Sequence, residues 1–232
     1  MVSGLSVIMP AYNEAGNIEA AISEVVREVS LMVPAYEVIV VDDGSTDDTH
    51  AIVREIAQRH QEVTPLCHGS NKGKGAALAT GIRNSRMDWI LMIDADRQIL
   101  PSDLDRFLPY AEDYDVIIAY RRSRADSLLR RLLSKGYGRL VSATLKVSAK
   151  DLNCPFKLFR KSLINPDDLL SRGFLIDAEL LLRALWAGCR IKEVGVVARP
   201  RLSGRSSVRL RHVPETLREL RALLKDMKRH GR

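Results

Sequence analysis

The sequence predicts an α/β protein, a single domain in which helices flank a mostly parallel sheet. Three observations carry this. Short apolar runs at Leu5–Pro10, Tyr36–Val41 and Ile90–Ile93 read as strands. Segments with apolar residues at helical spacing follow the first two. The second and third runs also end directly in paired acids, Asp42-Asp43 and Asp94-x-Asp96. Strand and helix in alternation make a parallel sheet the economical arrangement, and 232 residues suit one domain with a sizeable core.

The elements follow in order. Leu5–Pro10 is a strand stopped by Pro10, and residues 11–17 form a loop by composition. Ile18–Val29 carries Ile18, Ala21, Ile22, Val25, Val26 and Val29 on one helical face, with Asn17 as its expected cap. Tyr36–Val41 runs into an acid- and hydroxyl-rich turn, where Ser45 or Thr46 is positioned to cap a helix over Thr49–His60. Gln61–His68 is a weaker strand, followed by Gly69-Ser-Asn-Lys-Gly-Lys-Gly75 and a helix over Ala76–Asn84. Glycines around Lys72 and Lys74 at a helix start suit an anion held by backbone N–H groups and a lysine. The spacing is not that of a Walker A loop, and no Gly-x-Gly-x-x-Gly follows the first strand.

Past Ile90–Ile93, Pro101 sits at the first turn of an expected helix with Leu104, Phe107 and Leu108 on its inner face. Asp115–Tyr120 reads as a strand ending at Arg121-Arg122. Ser127–Val147 mixes leucines with regular bases and is broken by Gly136 and Gly138, a pattern that suits either an anionic membrane interface or packing on the core. Asp177 stands where it caps a helix over Leu180–Ala187, and Cys189–Ala198 is a further strand. From Pro214 the tail places Leu217, Leu220, Leu224 and Met227 at helical spacing among bases. It reads as a separate amphipathic helix, 211–232, suited to peripheral membrane contact or to core or dimer packing.

The formal charge of +7 is local in origin. Residues 121–139 hold seven Arg or Lys against one acid, and residues 199–232 hold eleven against three. Such a skew points to an anionic partner. No helix-turn-helix, zinc-finger or aromatic RNA-binding motif is visible, so nucleic acid is not the expected one. No apolar run reaches the roughly 20 residues of a membrane span, and Met1-Val-Ser-Gly4 does not open a secretion signal. Cys67, Cys154 and Cys189 are scattered, which fits a reducing cytoplasm.

The carboxyl ends of parallel strands form the binding crevice of such sheets. Asp94 and Asp96 are thereby delivered to it, and two anionic oxygens suit a hard cation, Mg²⁺ or Mn²⁺, able to neutralise a diphosphate. Asp42 and Asp43 suit either turn formation and capping or contact with a nucleoside.

Pro10-Ala-Tyr-Asn-Glu14, Val41-Asp-Asp-Gly-Ser45, Asn71-Lys-Gly-Lys-Gly75 and Asp94-Ala-Asp-Arg-Gln98, in this order, resemble the family 2 inverting glycosyltransferases. The nearest subgroup is that of the dolichyl- or polyprenyl-phosphate mannose and glucose synthases. The resemblance implies a GT-A-type, Rossmann-like catalytic domain over residues 1–210, with nucleotide-binding (1–120) and acceptor-binding (121–210) halves. It implies transfer of a hexose from GDP-mannose or UDP-glucose to a polyprenyl phosphate on the cytoplasmic membrane face. Pro10, Ala11, Tyr12 and Glu14 would line the nucleoside pocket, with Asp43 and Asp42 at the base. Asp94, Asp96 and Gln98 would hold the metal and donor phosphates, and Lys74 would serve the substrate site.

In the second half, the resemblance assigns phosphate contacts to Arg121, Arg139 and Lys157. Arg201 and Ser206 belong to Arg-x-x-Gly-x-Ser, a loop that closes over the diphosphate. Asp177 lies beside the acceptor, as a base for a hydroxyl or as a positioning group for a phosphate. Two departures stand out: Pro155 replaces a usual glycine, and Ser207 replaces a frequent lysine. A hydroxyl acceptor in polysaccharide synthesis is the alternative activity; a relative without catalysis is a third.

Overall fold

The computed structural model describes residues 2–122, 136, 138, 140–200 and 213–229. Seven strands form one sheet: β1 (Gly4–Ala11), β2 (Ala35–Asp42), β3 (Val63–Cys67), β4 (Trp89–Met92), β5 (Val116–Arg121), β6 (Lys157–Arg160) and β7 (Ile191–Val196). Their order is β3-β2-β1-β4-β6-β5-β7. β6 runs antiparallel to both of its neighbours, and every other pairing is parallel. The GT-A-like, mostly parallel α/β expectation is therefore met.

The reason lies in two-sided burial. Val38 and Val40 enter one core with Val25 and Val29, whereas Ile39 and Val41 pack on the other face with Ala77. A strand covered on both faces reads as a continuous apolar run. The covering helices are α1 (Ile18–Met32), α2 (Thr49–Arg59), α3 (Lys74–Asn84), α4 (Ile176–Trp186) and α5 (Val213–Arg229).

Strand order reverses between β1 and β4: the chain first steps outward through β2 and β3, then returns to the other side of β1. This switch point is where sheets of this kind open a crevice.

Several expectations are corrected. The helix expected after Pro101 is a pair of 3₁₀ turns, Pro101–Arg106 and Leu108–Tyr110. Pro109 has no N–H to continue a longer helix. β6, four residues bounded by Lys157 and Arg160, escapes a periodicity reading because it is too short to show one. Asn17 makes no side-chain cap to α1; its amide donates to Glu14 Oε2 at 2.6 Å. Ser45 and Thr46 do not cap α2. Asp47 Oδ1 instead accepts from the Thr49 N–H at 3.1 Å.

The tail helix takes up one of the alternatives its sequence left open. Leu220, Leu223 and Met227 of α5 are buried in the same cluster as Leu175, Leu180 and Leu181. Its apolar face closes the core, and Arg218, Arg221, Lys225 and Lys228 face outward. Of the alternatives for this helix, core packing is realised.

Candidate active site

Past Met92, which pairs with Ile8, the chain leaves the sheet. Asp94 and Asp96 therefore stand at the crevice beside the end of β1. Arg97 adopts a left-handed φ of 58°, a conformation that costs a non-glycine residue strain and marks a sharp bend. The bend returns the Gln98 N–H to Asp96 Oδ1 at 3.1 Å, an Asx-type turn. Arg97 itself reaches back to Glu24 at 2.5 Å, anchoring the bend on α1.

A chain of charges runs inward from Asp94. Lys74 Nζ lies 3.0 Å from Asp94 Oδ1 and 3.3 Å from Asp177 Oδ2. Lys157 Nζ lies 2.5 Å from Asp177 Oδ1 and also donates to the carbonyls of Cys154 and Leu152, at 2.5 and 3.3 Å. The Asp94 side chain remains 30% exposed, while Asp177 and Lys157 are each 3% exposed. Asp177 is in the first turn of α4 and not its cap. Its carboxylate holds two lysines from different elements.

Burial pushes the Asp177 carboxyl up, but Lys157 and Lys74 outweigh it and hold it below the usual aspartate range. Asp94 moves the other way. Burial raises it, Lys74 opposes, and the charges of Asp96 and Asp177 add to the rise. Lys74 is stabilised as an ammonium: burial lowers it, and Asp177 and Asp94 more than compensate.

This arrangement fits a hard divalent cation. Asp94 and the buried Asp96 would supply carboxylate oxygens, and a positive charge would relieve the repulsion that Asp96 exerts on Asp94. When bound, such an ion supplies charge neutralisation for a diphosphate leaving group. Asp94 and Asp96 would hold it, with Gln98 adjacent.

The acids at the end of β2 are situated differently. Asp43 accepts from the Lys72 and Gly73 N–H groups at 2.9 and 2.7 Å, and from His68 Nδ1 at 2.7 Å. A carboxylate only accepts, so His68 donates through Nδ1, and its Nε2 faces the Thr80 hydroxyl at 3.0 Å. Asp42 accepts from the Ser45 N–H at 3.1 Å and from the Ser45 hydroxyl. Asp42 thus closes the Ser45 turn, whereas Asp43 holds a loop and an imidazole 25 to 30 residues away. Pro10 and Tyr12 are half-buried and Ala11 is buried at the end of β1; the Ala11 carbonyl accepts from the Asp43 N–H at 2.8 Å. Glu14 closes the start of α1, its carbonyl accepting from Asn17 and Ile18.

The glycine loop is clamped from outside. Gly73 has φ 97°, and a Cβ there would lie 2.3 Å from the Arg172 carbonyl oxygen. At Gly75 a Cβ would lie 2.1 Å from the Ser171 oxygen. Residues 170–173 are in turn held by two buried glutamates. Glu179 accepts from the Leu170 and Ser171 N–H groups; Glu219 accepts from those of Arg172 and Gly173, at 2.7 and 2.8 Å.

Glu219 and His68 were missed from sequence; Glu179 belongs to the Asp-x-Glu that the resemblance sets beside the acceptor, and here it holds the backbone of residues 170–171. An acid on the apolar side of a basic helix was the available signal for Glu219.

Arg121 forms a two-pronged pair with Asp151, at 2.7 and 3.0 Å. This geometry suits guanidinium and carboxylate. Arg139, Arg201 and Ser206 lie outside the described residues.

The sequence pattern of "Glycosyl transferase family 2" matches residues 6–166. The chain is 32% identical over 162 residues to the undecaprenyl-phosphate 4-deoxy-4-formamido-L-arabinose transferase of Edwardsiella ictaluri, covering 69% of this chain and 50% of that protein. It is 31% identical over 163 residues to the transferase of the same name from Aeromonas hydrophila, covering 69% and 50%. The chain spans about half the length of these curated relatives.

Among solved structures it resembles glucosyl-3-phosphoglycerate synthase from Mycobacterium tuberculosis, solved with Mn²⁺, UDP and phosphoglyceric acid. That match has a TM-score of 0.68 at 20% identity and covers 94% of this chain and 75% of the other. Mannosyl-3-phosphoglycerate synthase from Rubrobacter xylanophilus gives a TM-score of 0.66 at 18% identity, covering 98% and 75%. With the family pattern covering well over half of its residues, the chain belongs to glycosyl transferase family 2, an enzyme class built on this fold.

Proposed function

We propose that the chain transfers a hexose, mannose or glucose, from GDP-mannose or UDP-glucose to a polyprenyl phosphate, with inversion and with Mg²⁺ or Mn²⁺ at Asp94 and Asp96. One observation carries the choice of acceptor: Asp177, where a hydroxyl acceptor would need its base, is ion-paired to both Lys157 and Lys74. A useful general base has a pKa near the working pH; this carboxyl is held below its ordinary range. A phosphate oxygen arrives already ionised and needs no base.

In this reading the lipid phosphate attacks the sugar C1 in line, and the nucleoside diphosphate departs from the opposite face. Lys74 positions Asp94 against the donor while keeping Asp177 charged. Pro10, Ala11, Tyr12, Glu14, Asp42 and Asp43 shape the nucleoside side, with Asp42 and Asp43 acting through the backbone loops they hold. Gln98 steadies the Asp96 turn. Arg121, Arg139, Lys157, Arg201 and Ser206 form the acceptor and diphosphate side, Lys157 through Asp177. Preorganised charge and positioning supply the rate.

The matched relatives named for undecaprenyl phosphate support a lipid-phosphate acceptor, and their sugar makes donor identity an arm of the test. No helix of the described residues is long and apolar enough to cross a membrane. We place the chain at the cytoplasmic membrane face, held by the outward bases of α5 and by the excess of Arg and Lys in the sequence of residues 121–139.

The test is transfer from each nucleotide-sugar, with Mn²⁺ or Mg²⁺, to a short polyprenyl phosphate and, separately, to free sugars. Product on the lipid phosphate alone is expected. Product on sugar hydroxyls alone overturns the reading.

A further inference from the structure

We propose a second metal site, for Zn²⁺ or a cation of similar softness, formed by Asp42, His50 and Cys67. The three come from the end of β2, the first turn of α2 and the end of β3. Their ligand atoms all lie within 4.8 Å of one another.

Asp42 Oδ2 is the shared corner, 3.4 Å from Cys67 Sγ and 3.9 Å from His50 Nδ1. Tetrahedral bonds of about 2.0–2.3 Å put neighbouring ligand atoms about 3.3–3.8 Å apart. Two of the three edges are thus close to the required length, and the third closes by rotation of the half-exposed imidazole.

A second observation points to a ligand. His50 Nδ1 is buried and has no hydrogen-bond partner among the described residues, although a buried polar atom ordinarily has one. The other Asp42 oxygen is held by the Ser45 N–H and hydroxyl, which is how an outer partner orients a ligating carboxylate.

Thiolate, imidazole and carboxylate together favour Zn²⁺ over Mg²⁺ or Mn²⁺. Three protein ligands leave the fourth position to water. Binding displaces the Cys67 thiol proton to solvent and replaces the S–H contact to Asp42 with a metal–thiolate bond. The site is separate from Asp94 and Asp96, because β1 intervenes between β2 and β4; two strand spacings amount to about 10 Å. Its effect is to tie the starts of two connections, β2–α2 and β3–α3, to each other beside the Ser45 turn.

The test is titration of the reduced full chain with Co²⁺, followed by absorption. One equivalent producing a thiolate-to-cobalt charge-transfer band and tetrahedral d–d bands is expected, with displacement by Zn²⁺ and none by Mg²⁺. Cys67→Ser should abolish the charge-transfer band, His50→Ala should weaken binding at least tenfold, and Asp96→Asn should leave the band intact. Zn²⁺ should raise the melting temperature of the native chain but not of Cys67→Ser, whose circular dichroism verifies folding. Absence of the band, or its survival in folded Cys67→Ser, overturns the site; so does unchanged affinity in His50→Ala.

Discussion

Two acidic pairs end two parallel strands on either side of β1, and their surroundings set them apart. Asp43 is buried and accepts from two backbone N–H groups and an imidazole, and its buried neighbour Asp42 accepts from the Ser45 backbone and hydroxyl. Asp94 remains partly open, answered among the described residues by the ammonium of Lys74, which it shares with Asp177. Identical side chains at equivalent strand ends thus do different work. A carboxylate with both oxygens taken by donors, as in Asp43, organises a loop; one left near other carboxylates, as Asp94 is, keeps a negative potential that a cation neutralises.

The strongest test of this contrast is Asp96→Ala. It should lower sugar transfer about a thousandfold or more, since cation charge stabilisation is worth several kcal/mol. Its melting temperature should stay near that of the native chain. A chelator should reduce the native chain to the same level; full transfer by the variant with chelator present would break the comparison.

Asp177→Asn comes next. It leaves two buried ammonium groups facing a neutral amide, and removing one partner of a buried pair costs about 3–5 kcal/mol, measurable by urea unfolding. Because Asp177 is not used as a base in the proposed reaction, the residual activity should keep the native pH profile in shape. Loss of the acidic limb, where a general base would become protonated, would point to a hydroxyl acceptor.

Asp43→Ala should cost about 2–3 kcal/mol, from stranded donors at Lys72, Gly73 and His68. Donor affinity should fall because residues 72–75 lose their anchor. Gly73→Ala should weaken donor binding in the same direction, as its Cβ would press on the Arg172 carbonyl.

Acidification separates two carboxylates of opposite behaviour. Asp177, lowered in the fold, contributes stability that is present above the unfolded aspartate value of about 3.9 and is lost as pH falls through its folded value. Asp94, raised in the fold, takes up its proton above that ordinary value. Calorimetry should show Mn²⁺-dependent nucleotide binding weakening while the urea midpoint contribution of Asp177 is still intact. The smallest effect on folding is expected from charge reversal at Arg218, Arg221, Lys225 and Lys228, within about 0.5 kcal/mol for exposed positions. Binding to anionic vesicles should nevertheless drop; unchanged binding would remove α5 from the membrane-contact proposal.

The sequence by itself determined the sheet-and-helix alternation, because Val38–Val41 and Ile90–Met92 are apolar enough to be buried on both faces, and β-branched or aliphatic runs of that length have few other uses. It also placed acids at two strand ends by chain order alone. Tertiary structure decided what those acids do. The partners of Asp43 are 25 to 30 residues away, and the lysines on Asp177 come from α3 and β6, one of them 103 residues distant. It likewise turned the apolar face of α5 into core, since an amphipathic pattern specifies that a face is covered and not by what. Charge and hydrogen bonding act through space, so the chemistry of a carboxylate depends on neighbours that linear spacing does not contain.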